Sequence, residues 1–313
     1  MKDNNQLLQH FDTFGYVVMR GLLDWERGLQ PVIDEYTDLL DGLARRWFAE
    51  KKISSSFEGM ALLGRWSRLA PELEETVPGH RSHFEITFLD NPVRADCRIH
   101  LGPAVFNLLR SARLLDGVEL LIGPEIYSTP IQHVRLVRPG SVDGTAFHQD
   151  LSVVTPEADD TDMLSVWLPL TEVTPESCLY VVPGSHKREL LHCLNRDDTE
   201  FPHRMIEEEQ IPLPMCPGDV LFFHKGTIHG APPNTGDSTR FSFDLRYNPI
   251  EQAPVRPFFP GFVTRSRSHP ESELRDAETW IEMWEETRAR LARVGKQQVY
   301  RGDVVAGADP LCA

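Results

Sequence analysis

The feature that most constrains this chain is a change of period near residue 126. Beyond it, short β-rich runs alternate with turn residues, the pattern expected of a sandwich or barrel. The runs are YSTPIQHVRLVR, MLSVWLPL, CLYVVPG, DVLFF and RFSFDLRY, separated by PGSVDGT, TPEADDTD and HCLNRDDTEFPHRMIEEEQ. The last separator, residues 192–210, is too long for a hairpin turn and reads either as a lid over a site or as a solvated insertion. Upstream the period is helical. Leu7, Leu8, Phe11 and Phe14 share one face of a short helix that Gly15 ends, and a short strand, YVVM, follows. Asp24 can cap a longer helix carrying Val32, Ile33, Tyr36, Leu39, Leu40, Leu43 and Trp47 at helical spacing. Residues 50–100 mix Pro and Gly with competing helix and strand signals. Near the end, Ser268 and Glu271 have capping-box spacing, and Leu274, Ala277, Ile281 and Trp284 fall on one face until Gly295.

These segments read as one domain, 1–313, with a mostly helical flank and opening strand over 1–125, a β core over 126–250 and a packing helix within 251–313. Apolar content of 41% and charged content of 25% are those of a chain that folds without a partner. The formal charge of −15 argues against a broad nucleic-acid or anionic-membrane surface, since both need clustered Lys and Arg. The opening MKDNNQLLQHFD lacks the basic start and apolar stretch of an export signal. No segment approaches the roughly 20 apolar residues of a membrane span, so a cytoplasmic protein is expected. Five cysteines, an odd number without a C-x-x-C pair, argue against a disulfide framework or zinc knuckle. Cys178 reads as a small buried hydrophobe. Oligomeric state leaves no readable signal.

Chemistry concentrates in the β region. His148 and Asp150 are two residues apart, so in an extended segment both side chains leave the same face. His229, directly after the run DVLFF, is placed to supply a third ligand. Two histidines and a carboxylate form the facial triad of non-haem iron(II) oxygenases, which leaves open coordination positions. The pair alone is weak among 12 histidines, and zinc hydrolases also use such ligand sets. Arg240 is the discriminator. It lies eleven positions beyond His229, after the turn-rich APPNTGDST. If that connection is tight, the strand returns antiparallel beside the one carrying His229 and points Arg240 into the same cavity. A guanidinium there can take the distal carboxylate of a dicarboxylate, and Ser242, on the same strand face, can add a hydroxyl. Asp244 and Arg246 continue that face, either as substrate contacts or as a mutual pair. His186 and His224 read as structural histidines, His224 because its odd spacing from His229 reverses the strand face.

Taken together, His148-Gln149-Asp150, the run TPESCLYVVPGSHK from Thr174 to Lys187, Pro217-Gly218-Asp219 and the spacing from His229 to Arg240 resemble the phytanoyl-CoA dioxygenase family. That family is a branch of the iron(II)/2-oxoglutarate oxygenases that includes the ectoine hydroxylases. The resemblance implies a mainly β fold with flanking helices, a double-stranded β-helix (a jelly-roll, cupin-like barrel), using Fe(II), 2-oxoglutarate and O2. It also implies Trp167 beside the co-substrate, Gln132 near the substrate and Arg138 near 2-oxoglutarate. Arg138 stands where relatives carry Lys, and Ser177-Cys178 where many have Gly. The implied reaction is hydroxylation of a small-molecule substrate, with desaturation, cyclisation or epimerisation as variants of the same chemistry. No basic cluster suited to an acyl-CoA is visible. A cupin-like metal hydrolase or isomerase, and a ligand-binding jelly roll, are the readings outside oxygenase chemistry.

Overall fold

A computed structural model describes residues 4–141, 144–155, 158–187 and 209–295. The expected lid segment thus lies almost wholly outside the described residues. The first helix, α1 (Asn4–Phe14), stops at Gly15, whose φ of +78° lets its N–H reach the Phe11 carbonyl. A side chain there would also strike the His186 ring and the Thr227 hydroxyl, so glycine is required twice over. Strand β1 (Tyr16–Met19) follows. Asp24 accepts from the Arg27 N–H as expected, but the first turn it caps, Trp25–Leu29, is a π-turn that leads into α2 (Gln30–Ala49). Helix α3 (Leu62–Thr76), an irregular stretch with one short 3₁₀ turn at His80–His83, α4 (Pro103–Leu109) and α5 (Ala112–Ile122) complete the flank.

The strands are β2 (Ile126–Val137), β3 (Thr145–His148), β4 (Leu164–Pro169), β5 (Leu179–Val181), β6 (Ile211–Leu213), β7 (Val220–His224), β8 (His229–Ala231), β9 (Arg240–Pro249) and β10 (Phe262–Arg265). They form two antiparallel sheets, a major one ordered β1-β7-β4-β9-β2-β10 and a minor one ordered β3-β8-β5-β6. Strand alternation sorts side chains between the major sheet's two faces. Phe241, Phe243, Leu245 and Tyr247 of β9, with Val220 and Phe222 of β7, pack outward in one core with Val32, Tyr36, Leu40 and Trp66 of the helices. Trp167, Leu221 and Phe223 face inward, against Leu179, Val181 and Leu213 of the minor sheet. The site lies between the sheets, on that inner face.

At the carboxyl end, α6 (Ala277–Val294) buries Trp280, Trp284 and Leu291 against this helical layer. Its cap is Asp276, which accepts from Thr279 N–H; the expected capping residue Ser268 instead donates to Glu125. A 3₁₀ turn at Pro270–Ser272 separates the two positions, so the expected Ser268–Glu271 box does not cap the helix and Leu274 lies before its start. Among the described residues, no helix is long and apolar enough to cross a membrane.

Candidate active site

The two histidines meet because β3 and β8 pair antiparallel with His148 directly opposite His229. Their ring centroids are 4.2 Å apart. Gln149 continues the extended backbone, with φ −111° and ψ 138°, so Asp150 emerges on the same side as His148 before a 3₁₀ turn begins. Gln149 points the other way and donates to the Gly226 carbonyl at 2.7 Å, while Leu151 N–H donates to the Lys225 carbonyl at 3.0 Å. These bonds tie the segment after β3 to the turn before β8, and so fix all three side chains relative to one another.

Asp150 Oδ1 lies 3.6 Å from His148 Nε2 and 3.9 Å from His229 Nε2. One ligand atom from each residue falls within 4.8 Å of the others, a spacing that could hold a metal ion. The protonation states suit a divalent cation. His229 Nδ1–H donates to the Thr227 carbonyl at 2.9 Å, which leaves the Nε2 lone pair facing Asp150. Burial, reinforced by His148, pushes the His229 ring down to about 4. For Asp150 burial acts to raise the carboxyl, but Arg246 and the two imidazoles prevail and hold it well below the carboxylate range. At neutral pH His229 is therefore a neutral imidazole and Asp150 an anion, the forms in which each can ligate a cation.

The cavity beside these groups is lined also by Thr145, Trp167, Leu179, Phe223, Ala231 and Arg240, with Arg135, Asp244 and Arg246 on its charged side. Arg240 reaches it by a route the spacing did not foretell. The strand carrying it does not pair with β8: β8 lies in the minor sheet between β3 and β5, whereas β9 lies in the major sheet between β4 and β2. The connection crosses the end of the sandwich, where Asn234 donates to the carbonyls of Val137 and Ser238 and accepts from Gly236 N–H. The four apolar residues on the outer face of β9 need the helical cover that only the major sheet has, so Arg240 faces the metal ligands from across the cavity.

Arg240 is 3% exposed and donates through Nη1 to the Ser177 carbonyl at 2.7 Å. Among the described residues, its Nε and the hydroxyl of Ser242, which is fully buried, find no hydrogen-bond partner. Two orphaned polar groups on one strand face are costly unless a ligand supplies the partner. The distal carboxylate of 2-oxoglutarate would match these two donors in charge and in number of acceptors.

The remaining expected residues divide. Trp167 lines the cavity. Asp244 and Arg246 line it too, but do not pair with each other: Asp244 takes Arg135 Nε at 3.2 Å, and Arg246 takes Asp150. Gln132 is not among the lining residues; its side chain donates to Ser128 Oγ within an irregular part of β2. Arg138 also stays outside, paired with Glu74 of α3 at 3.2 Å. In β2 the residues opposite Arg240, Ser242 and Asp244 are Val137, Arg135 and His133, so the inward face carries odd numbers. Arg135 is the residue the resemblance passed over. The alternation of His133 and Arg135 with Val134 and Leu136 was the signal that could have found it. His186 and His224 lie outside the triad, His186 against the Asp12 carbonyl and His224 accepting from Gly226 N–H.

Burial, with the charges of His186 and Lys225, drops His224 from its ordinary 6.5 to about 4. The unfolded chain then takes up a proton that the folded ring refuses, so stability is lost as pH falls from about 6.5 towards 4. Thermal melting should decline over that window, and His224→Asn, which keeps an acceptor for Gly226, should flatten the decline. His229 and His83, also lowered to about 4, contribute over the same window, so an unchanged slope in the variant would remove His224 from among its sources.

Two facing antiparallel sheets with two histidines, a carboxylate and an arginine between them have the arrangement expected of the iron- and 2-oxoglutarate-dependent oxygenase class. Within that class the chain belongs to the phytanoyl-CoA dioxygenase (PhyH) family, which matches residues 11–242. It is 31% identical to phytanoyl-CoA dioxygenase 1 of Oryza sativa subsp. japonica, over 77% of this chain and 87% of that protein. It is 29% identical to a methylphosphonate hydroxylase of Gimesia maris, over 56% of this chain and 65% of that one, and a probable phytanoyl-CoA dioxygenase of Caenorhabditis elegans is matched over 51% of its length. Among solved structures, the epimerase SnoN in complex with Fe3+, alpha ketoglutarate and nogalamycin RO superposes with a TM-score of 0.52 at 20% identity, over 81% of this chain and 86% of that one.

Proposed function

We propose that the protein hydroxylates an unactivated C–H bond of a small, polar metabolite. In this reading His148, Asp150 and His229 hold iron(II), while Arg240 and Ser242 hold the distal carboxylate of 2-oxoglutarate. The observation that carries it is the placement, in one cavity, of a ligand set and of a buried arginine and serine with unsatisfied donors. A metal hydrolase would have no use for those donors. When bound, iron(II), 2-oxoglutarate and O2 supply the oxidant that removes the substrate hydrogen, with succinate and CO2 formed.

The chain's own residues bind and orient. Thr227 fixes the His229 tautomer, and Trp167, Leu179 and Phe223 give the co-substrate an apolar wall that excludes water from its middle. Arg135 and Asp244 line the remaining side, a charged wall that suits a polar substrate better than a long acyl chain. Relatives named for hydroxylation of methylphosphonate and of 1-deoxypentalenic acid support hydroxylation of small acids as the class.

The test is to incubate the purified protein with iron(II), 2-oxoglutarate, O2 and a panel of small phosphonates, carboxylic acids and amino-acid derivatives. Succinate should form in step with a product heavier by one oxygen atom. A product lacking two hydrogens, or isomeric with the substrate, would replace hydroxylation by desaturation, cyclisation or epimerisation. Absence of iron-dependent succinate across the panel and in the substrate-free reaction would overturn the oxygenase reading of this site.

A further inference from the structure

We propose that Arg246 and Ser165 are positioning residues which occupy the far oxygen of Asp150 and so present a single oxygen, Oδ1, to the metal. This rests on the reading of His148, Asp150 and His229 as the metal ligands. Asp150 Oδ2 accepts from Arg246 Nε at 3.1 Å, from Arg246 Nη2 at 2.9 Å and from the Ser165 hydroxyl. Oδ1 accepts from Arg246 Nη2 at 2.9 Å, and it is the oxygen that both imidazole Nε2 atoms approach.

A carboxylate has about four lone-pair sites, two on each oxygen. Three donors exhaust those on Oδ2, whereas Oδ1 is the oxygen turned towards the two imidazoles and so towards a cation held with them. The guanidinium is itself held from behind, because Nη1 donates to the Ile131 carbonyl at 3.3 Å and the side chain is only 6% exposed. Asp150 belongs to the segment after β3, whereas Arg246 comes from β9 and Ser165 from β4. The major sheet therefore sets the angle at which a ligand from beside the minor sheet meets the metal.

Two effects of Arg246 on metal binding oppose each other. Its positive charge repels a cation, and its fork fixes the carboxylate. Lysine keeps the charge but cannot donate in parallel to both oxygens, so Arg246→Lys separates the two. The measurement is a Co(II) titration without co-substrate, followed by visible absorption, for wild type, Arg246→Lys, Ser165→Ala and His229→Ala, with far-UV circular dichroism on each.

Loss of an orienting partner weakens metal affinity roughly tenfold to a hundredfold. Arg246→Lys should show that loss together with an altered band intensity, as the freed carboxylate brings both oxygens to the ion. Ser165→Ala should shift affinity in the same direction by a smaller factor, and it carries the test if Arg246→Lys does not fold. Wild-type or tighter affinity with a wild-type spectrum in the folded variants overturns the proposal. Should that occur while His229→Ala fails to bind Co(II), the metal site stands without this orienting role. If His229→Ala binds Co(II) as the wild type does, the ligand assignment itself has failed.

Discussion

His229→Ala should reduce iron-dependent succinate formation to background while the protein still melts cooperatively. That is the largest effect expected of any single substitution here. The imidazole is one of three ligand atoms within 4.8 Å of one another, and its loss leaves an incomplete triad. The backbone around it is held by other bonds, including Ile228 N–H to Ser185 Oγ at 2.8 Å and Thr227 Oγ1 to the Gly15 carbonyl at 2.7 Å. Removing a ring that is neutral when buried leaves no stranded charge, so folding should survive. Full succinate yield from a folded His229→Ala protein would refute the assignment of His229 as a ligand.

The second large effect is on co-substrate affinity. In Arg240→Ala a dicarboxylate would enter the cavity without its guanidinium partner, and loss of one member of a buried charge pair costs about 2–5 kcal/mol. At about 1.4 kcal/mol per tenfold, binding of 2-oxoglutarate should weaken by roughly 30-fold to several thousand-fold. Direct titration of the Co(II)-loaded protein with 2-oxoglutarate reads this without turnover. Arg240→Lys should recover part of the affinity, since one ammonium replaces a fork. Unchanged binding in Arg240→Ala would mean that another cation, with Arg135 the nearest candidate, holds the co-substrate.

What could be read from the sequence was what is local in it. The shift to strand period, the His148-Gln149-Asp150 pair, His229 and Arg240 lie in runs whose side-chain direction follows from backbone geometry alone. What could not be read depends on which elements pack together. The spacing from His229 to Arg240 suits a hairpin as well as a crossing between sheets, and only the need to cover the outer face of β9 decides between them. Arg138 and Arg135 differ by an odd step, so choosing between them requires knowing which face of β2 meets the helices. Val134 of that strand packs in the helical core and Arg138 follows its face to Glu74. Arg246 read as a substrate contact or as the partner of Asp244 because its actual partner, Asp150, is 96 residues away. Residues 77–102 form short turns without a period, yet they deliver Glu85 to His133 Nδ1 and to Val134 N–H against the back of the site.

The contact of Arg246 and Ser165 with Asp150 joins the two sheets as a rivet joins two plates. Residues in such a joint are poor material for evolutionary change, because one substitution disturbs both chemistry and architecture. The freedom to acquire new substrates lies elsewhere on the cavity wall. Arg135 and Asp244 pair with each other on the charged side, and Arg135 is 39% exposed. Paired exchanges at those two positions could redraw what the cavity accepts while the rivet, and the chemistry beneath it, stays as it is.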